Sequence, residues 1–258
     1  MLEKGVDNMV IEVKKIFEEN GLTKYLIKGV DSVFMNSIRR ITMNAVPCLA
    51  IDTVNIYSND SVINDEMLAH RLAMLPIKTD VKGYKKGQSV KLVLEAEGPC
   101  MVTSKDIKST DPKVEILEKE IPIVKLGKGE KLKLEMSAMM GVGKEHVKFQ
   151  PGIIAYNQAP NINNEKSYKI REILSEFPKG IIDEKAGKLF LVDPYNLKNS
   201  SQHEDLMKKF GIELEYSDDE FVLTIESTGQ LDADEIVESA VDVLKEKLDT
   251  LAEEVKKL

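Results

Sequence analysis

The first fifty residues change from an alternating pattern of apolar and polar positions to a helical one. Residues 9–17 and 22–28 largely alternate, which predicts two β-strands. The Asn-Gly pair at 20–21 between them tolerates positive φ and is typical of a hairpin turn. Residues 31–46 then repeat apolar side chains at intervals of three and four, which predicts an amphipathic helix that Pro47 ends.

The middle of the chain has mostly the period of β-strands. Residues 50–57 and most of 89–152 alternate apolar and polar side chains, with glycines and prolines between the alternating runs. A short helix is predicted over 64–75, where three leucines share a face before Pro76. This part of the chain is therefore expected to be rich in β-structure.

Residues 157–218 differ in character from what precedes them. The Asn- and Pro-rich stretch 157–164 predicts a loop, 167–177 a helix, 179–194 a small hairpin, and 203–210 a second helix. This succession of short elements indicates an inserted module.

The strongest helix signal lies at the end of the sequence, after a predicted strand over 221–226. Asp232 and Glu235 form a capping-box pattern. About 26 residues at ~1.5 Å each would give a rod of roughly 39 Å, which is long for a helix that packs only on a small domain. Its apolar positions recur at intervals of three and four: Val237, Ala240, Leu244, Leu248, Leu251, Val255 and Leu258.

Composition agrees with an α+β fold and narrows the function classes. The chain of 258 residues is 42% hydrophobic and 31% charged, and no apolar run approaches membrane-spanning length. Two cysteines cannot build a disulfide framework, so a reducing, cytoplasmic setting is expected. Residues 159–258 carry 23 acidic and 13 basic side chains, which argues against direct DNA binding by that part.

Catalytic and ligand-binding patterns are largely missing. The segment from Gly141 to Lys144 lacks the earlier glycine and the following Ser or Thr of a phosphate-binding loop. His70, His146 and His203 lack metal-ligand spacing, and structural or surface roles are favoured for them. The sequence therefore predicts no catalytic residue and no metal site.

Paired arginines stand out in a chain that otherwise uses lysine. Only 4 of the 36 basic residues are arginine, yet Arg39 and Arg40 are adjacent on the first predicted helix. Arginine offers a planar, bidentate fork that lysine cannot imitate. The pair indicates fixed carboxylate or backbone partners, with a solvated helix face as the alternative.

Four segments, in this order along the chain, carry a family resemblance. They are Asn36-Ser37-Ile38-Arg39-Arg40 with Val46-Pro47 and Ala50-Ile51; Asp65-Glu66 with Ala69-His70-Arg71-Leu72 and Leu75-Pro76; Gly141-Val142-Gly143-Lys144-Glu145-His146 with Lys148 and Pro151; and Glu226-Ser227-Thr228-Gly229. They resemble the motifs of the RNA polymerase alpha family, in particular its archaeal branch.

The resemblance implies a discontinuous architecture. An alpha-like dimerisation domain would comprise residues 1–50 and 219–258, and a β-rich insertion domain residues 51–156. Residues 157–218 would be the ferredoxin-like module that many archaeal relatives carry there.

That module is predicted to lack an iron–sulfur cluster, because clusters need thiolates and no cysteine follows Cys100. Ser167, Ile170, Ile173 and Phe177 occupy the expected ligand positions. We expect a small apolar core instead, formed by Ile170, Ile173, Phe177, Phe190, Val192 and Leu206.

The resemblance also implies a function, that of a non-catalytic assembly subunit of DNA-directed RNA polymerase. Its partners would be the small alpha-like subunit L in a heterodimer, subunits N and P, and the two large catalytic subunits, with DNA contacted only through the complex. Asn36, Arg39 and Arg40 would contact the second-largest subunit. The expected dimer interface, some of which could instead pack within the domain, is Phe34, Ile38, Ile41, Val237, Ala240, Leu244, Leu248 and Leu251.

Some alternatives stay open at this point. The motif residues His70, Arg71, Lys144 and His146 have no assigned role and could each serve domain packing. The rival functions are a homodimeric alpha-like subunit, a ferredoxin-type electron carrier, which the missing cysteines nearly exclude, and an uncharacterised enzyme.

Overall fold

The structure, a computed structural model, describes residues 10–257 except 82, 85–86, 164–168, 178–180, 193–194, 196–204 and 206. Its helices are α1 (Ser32–Ala45), α2 (Asp65–Ala73), α3 (Ile170–Glu176) and α4 (Ala233–Lys256). Its strands are β1 (Glu12–Glu19), β2 (Leu22–Lys28), β3 (Pro47–Asn59), β4 (Ser89–Glu97), β5 (Cys100–Thr103), β6 (Ile107–Ser109), β7 (Pro122–Leu126), β8 (Lys131–Val142), β9 (Gly152–Ile162), β10 (Ile182–Lys185), β11 (Lys188–Leu191) and β12 (Leu214–Ser227). This composition confirms the predicted α+β class.

The chain divides into two compact units. The smaller unit comprises the chain up to Glu19, Thr23–Asn36 and Ala155–Thr224. The larger unit comprises Asn20–Leu22, Ser37–Ile154 and the chain from Ile225 onward. The elements β2, α1, β9 and β12 each contribute residues to both units, so the division does not follow element boundaries.

The larger unit is built around an antiparallel sheet with the order β3-β8-β4-β6. Alternation along β4 buries Val90, Leu92 and Leu94 and exposes Lys91 and Glu95 between them, which is the pattern of a sheet with one solvated face. The core side chains of β3, β4 and β8 pack with two fully buried leucines of α2, and β5 pairs with β7 in a separate ribbon. The β-rich structure predicted for the middle of the chain is confirmed, and it encloses an extensive apolar core.

The smaller unit contains a second sheet, with the order β1-β2-β12-β9. The predicted turn between β1 and β2 is confirmed, since Asn20 and Gly21 have φ values of 50° and 80°. The predicted loop over 157–164 is wrong, because β9 continues as a strand to Ile162. Pro160 is accommodated there because β9 lies at the edge of the sheet, where a missing backbone donor is tolerated.

The module core is apolar, but two of its predicted members are wrong. Leu189 and Leu191 are 1% and 7% exposed, whereas Phe190 and Val192 are 37% and 47% exposed. The cause is the two-residue turn at Ala186-Gly187, both with positive φ, which pairs Ile182 with Leu191 and sets the register of the hairpin.

The remaining core of the module agrees in part with the expectation. Ile173 and Phe177 are buried in it, and Ile170 packs against it. Leu206 and Ser167 lie outside the described residues. The predicted helix over 203–210 is confirmed in part, since residues 205 and 207–209 are helical and 203, 204 and 206 are not described. The described core is Ile162, Ile173, Phe177, Ile182, Leu189, Leu191, Met207 and Ile212.

Within the described residues, no helix is long and apolar enough to cross a membrane.

Two buried threonines allow a matched test of the larger unit. Thr42 in α1 is fully buried and its hydroxyl has no hydrogen-bond partner among the described residues. The Thr79 hydroxyl accepts a hydrogen bond from the Leu49 backbone N–H at 3.0 Å and donates one to the Ile77 carbonyl at 3.2 Å. The two hydroxyls therefore make opposite contributions to stability.

We expect Thr42→Val to raise the free energy of unfolding by about 1 kcal/mol, because it removes a buried unpaired hydroxyl at nearly constant shape. Thr79→Val should lower it by about 1–3 kcal/mol, because the Leu49 N–H loses its acceptor. Chemical denaturation monitored by circular dichroism measures both. Equal effects of the two substitutions would contradict this assignment.

Candidate interaction surface

Gln230, in the turn before α4, joins three distant segments of the larger unit. Its side chain is buried, and the Nε2 group donates to the Leu49 carbonyl at 3.2 Å and to the Lys148 carbonyl at 3.1 Å. Its own carbonyl accepts from the Thr79 N–H at 2.9 Å. The side-chain amide of Gln230 thus connects β3 and the segment after β8 to the start of α4. The backbone carbonyl of the same residue connects the segment after α2 to that point as well. The sequence offered no signal for this residue beyond its place beside Gly229.

A second set of bonds fixes the motif at 226–229 against the motif at 141–151. The Thr228 hydroxyl donates to the Pro151 carbonyl at 2.9 Å, and the Thr228 N–H donates to the same oxygen at 3.1 Å. A Cβ added to Gly152 would overlap the Glu226 carbonyl oxygen. Glycine is required there because two backbones approach each other directly.

Lys148 belongs to this internal network and not to the surface. Its ammonium lies 2.8 Å from Asp52 Oδ1 and 3.1 Å from the Ile51 carbonyl, and its side chain is only 10% exposed. The same ammonium stands 5.0 Å from the centroid of the Phe149 ring. Lys148 therefore holds a single 3-10 turn, Val147–Phe149, against β3.

Arg71 has a packing role as well. Its Nη1 donates to the Ile123 carbonyl at 2.6 Å, which attaches α2 to β7. His70, the adjacent motif residue, is exposed. Of the motif residues without an assigned role, Arg71 is thus explained by the interior of this unit.

The paired arginines face different surroundings on α1. Arg39 is partly buried, with its Nη1 4.0 Å from the Met43 sulfur, and Asn36 is also partly buried. Arg40 is exposed, and its guanidinium makes no hydrogen bond or ion pair with the part of the chain that the structure describes. The structure thus leaves Arg40 accessible to a partner.

The turn that follows β8 lies against the last residues of α1. The Lys144 N–H donates to the Asn44 carbonyl at 3.0 Å, and a Cβ added to Gly143 would overlap the Met43 carbonyl oxygen. His146 Nδ1 accepts from the Lys148 N–H at 3.1 Å and caps the 3-10 turn. The side chains of Lys144 and His146 are exposed.

The predicted dimer positions divide into three groups by burial. Ile38, Ile41 and Ala240 are 3%, 8% and 0% exposed, so the rest of the chain already covers them. Phe34, Val237 and Leu244 are partly buried. Leu248 and Leu251 are 56% and 60% exposed.

The exposed leucines lie on a part of α4 in which every described residue is exposed. Ile236 and Ala240 are fully buried, whereas every residue from Lys245 to Lys257 is exposed. Leu248, Leu251 and Val255 follow one another at intervals of three and four and form one apolar stripe, which we call the α4 stripe. Val255 is 59% exposed. The stripe is a surface that water alone covers in the isolated chain.

The described residues offer little for chemistry. Among them, no group of three or more His, Cys, Asp or Glu side chains is placed to hold a metal ion. Cys48 is buried, and desolvation raises the pKa of its thiol to about 12, which disfavours the reactive thiolate. The features that remain among the described residues are the exposed side chains of α1, of the turn after β8 and of the α4 stripe.

Comparison with known proteins identifies the family of the chain. Residues 54–156 match the RNA polymerase Rpb3/RpoA insert domain family. DNA-directed RNA polymerase subunit Rpo3 of Pyrococcus furiosus is 36% identical over 258 residues, covering 96% of this chain and 98% of the relative. The Thermococcus kodakarensis protein of the same name is 35% identical, covering 96% and 99%, and that of Methanosarcina acetivorans is 35% identical, covering 94% and 97%. The chain belongs to the Rpo3 family, the non-catalytic alpha-like subunits of archaeal RNA polymerase.

Proposed function

We propose that this chain is an assembly subunit that forms a heterodimer with the small alpha-like subunit L. That dimer is then joined by subunits N and P and by the two large catalytic subunits of DNA-directed RNA polymerase. The family supports the class of complex, and the α4 stripe is the observation that supports a partner helix. DNA contact is indirect, through the assembled complex.

The C-terminal part of α4 gains little stability from packing when the chain is isolated. Most helical stability in proteins comes from packing an amphipathic face, yet every described residue from Lys245 onward is exposed. Burial of a large apolar side chain contributes roughly 1.5–3 kcal/mol before ordering costs. A second helix laid along the α4 stripe supplies that burial for three side chains.

The buried and exposed positions together suggest how the partner binds. Ile38, Ile41 and Ala240 stabilise the chain's own fold. On α4, Leu248 and Leu251, with the partly buried Val237 and Leu244, remain for contact with subunit L. On α1, Phe34 is a further partly buried candidate. The interface we propose therefore contains fewer residues than the dimer interface expected from the sequence.

The recruitment of the large subunit is assigned to α1. Arg40 offers a guanidinium without a partner in the described chain, and Asn36 and Arg39 lie on the same helix. A carboxylate of the second-largest subunit would accept a bidentate hydrogen bond from Arg40.

The module does not suit an iron–sulfur cluster. Ile173 and Phe177, at two expected ligand positions, are buried members of its apolar core, and Ile170 packs against them. None of these side chains can ligate iron. We propose that the apolar core takes the place of the cluster in holding this module together.

The α4 stripe gives the first test of this function. Co-expression of the full chain with subunit L should yield a one-to-one complex by native mass spectrometry. Leu251→Asp should weaken that complex by more than about tenfold, because it places a charge in an apolar contact. A stable monomer, or a homodimer indifferent to subunit L, would refute the heterodimer.

Thr250→Asp is the matched control for Leu251→Asp. It adds the same charge at an exposed neighbouring position about 100° around the helix, away from the α4 stripe. We expect the Thr250 variant to bind subunit L like the wild type. Equal loss in both variants would indicate damage to the helix itself, and circular dichroism would show it.

Arg40→Ala tests the docking of the large subunit. We expect the purified heterodimer to lose about 2–5 kcal/mol of binding to the second-largest subunit, if Arg40 forms a buried charge pair there. A pull-down at several concentrations measures this. Normal recruitment by the Arg40 variant would rule out that role.

Iron and labile-sulfide analysis tests the module. Protein purified without exposure to air should contain neither in stoichiometric amount, because its core presents no thiolates. One iron atom or more per chain, retained after chelation, would overturn the assignment.

A further inference from the structure

We propose that Arg40, Asn44, Lys144 and His146 form one docking surface, the α1–turn surface, for an acidic segment of the large subunit. The inference rests on the proposed function and extends it from α1 to the turn after β8. It assigns a role to Lys144 and His146, which the motif resemblance left without one.

The backbone places these residues side by side. Arg40 and Asn44 are one helical turn apart on α1, and the Asn44 side chain donates to the Arg40 carbonyl at 3.0 Å. The Lys144 N–H then donates to the Asn44 carbonyl at 3.0 Å, so the turn directly continues the exposed face of the helix. All four residues belong to the larger unit.

The turn is held rigidly although its side chains point to solvent. Gly143 lies against the Met43 carbonyl with no room for a Cβ, and the Glu145 N–H donates to the Val142 carbonyl at 2.9 Å. A rigid backbone that presents exposed polar side chains is the arrangement of a binding surface, and the charged ends of Arg40 and Lys144 make no contact that stabilises the described part of the fold.

The chemistry of the surface is that of hydrogen-bond donors. The Lys144 ammonium and the Arg40 guanidinium have no hydrogen bond or ion pair within the described part of the chain. His146 uses Nδ1 as an acceptor for the Lys148 N–H, so the proton of the neutral ring sits on Nε2 and adds a third donor. Glu145 is the acidic residue of the turn, and Arg39 lies beside Arg40 on the helix.

The hydrogen-bond donors and positive charges of this surface indicate which kind of partner it binds. Carboxylates are the acceptors that guanidinium and ammonium groups bind best, and a guanidinium binds them with two parallel bonds. With Arg39, Arg40 and Lys144 against Glu145, the local charge is positive in a chain whose net charge is −8. An acidic segment is therefore the occupant that complements the surface.

Lys144→Glu in the full-length heterodimer with subunit L tests the inference. We expect its affinity for the second-largest subunit to fall about tenfold or more at low salt, with a weaker dependence on salt than the wild type shows. His146→Ala should lose less, because it removes one neutral donor. Lys144→Ala serves as a second variant that introduces no new charge.

Lys128→Glu is the matched control, since Lys128 is an exposed lysine in the turn between β7 and β8. It makes the same charge change and should leave recruitment unaltered. If Lys144→Glu and Lys144→Ala recruit like the control, the inference is wrong. A drop in thermal stability with normal recruitment would likewise overturn it, and would mean that Lys144 only stabilises the C-terminal end of α1.

A double-variant cycle of Arg40→Ala with Lys144→Ala separates this inference from the proposed function. Non-additive losses support one shared surface. Additive losses would support contacts of Arg40 and Lys144 with separate groups of the partner. An effect of Arg40→Ala alone would restrict docking to α1 and refute the extension. Failure of the wild-type heterodimer to bind the large subunit would instead overturn the proposed function, and this inference with it.

Discussion

Hydrogen bonds to backbone carbonyls between segments far apart in sequence are the constraint on which the larger unit depends. The Gln230 amide spans Leu49 and Lys148, and the Thr228 hydroxyl reaches Pro151. Each of these carbonyls would otherwise be a polar group facing the interior, at a cost of about 1–3 kcal/mol if left unpaired. The start of α4 is thus positioned by Lys148, which lies 82 positions earlier in the chain, and by Leu49, which lies 181 positions earlier. The direction in which α4 leaves this unit is a consequence of that network.

Because of that direction, one helix both packs into the fold and presents an exposed apolar surface. The first turns of α4 bury Ile236 and Ala240 and belong to the fold, while the later turns carry the α4 stripe into solvent. The capping box at Asp232 and Glu235 secures the N-terminal end of the helix, where packing also secures it. The exposed end has no comparable support within the described chain. A helix divided in this way is packed into its own unit at one end and presents an uncovered apolar stripe at the other.

Much of the fold could be predicted from the sequence, because the strongest patterns are those of burial. The α+β class, the hairpin at Asn20-Gly21 and the capped α4 follow directly from spacing and turn chemistry. The predictions were wrong where the local amino-acid composition favoured one structure and the packing or pairing of the folded chain favoured another. Pro160 in β9 signalled a loop, yet an edge strand tolerates it. Phe190 is larger and more apolar than its neighbours, yet the turn at Ala186-Gly187 fixed the register that buries Leu189 instead.

The motifs show why a candidate site is harder to predict than a fold. Lys148 and Lys144 are both motif lysines, and in sequence nothing separates them. In the structure, the Lys148 ammonium is 2.8 Å from Asp52 inside the unit, whereas the Lys144 side chain is exposed at the end of α1. Arg71 and Arg40 are both exposed and differ only in bonding, because Arg71 donates to the Ile123 carbonyl whereas the Arg40 guanidinium has no partner in the described chain. A family motif therefore combines residues that hold the subunit together with residues available to bind another. Only the exposure and bonding of each side chain distinguish the two, and by that criterion Arg40 and Lys144 are the exposed donors of α1 and of the turn bonded to its last residues.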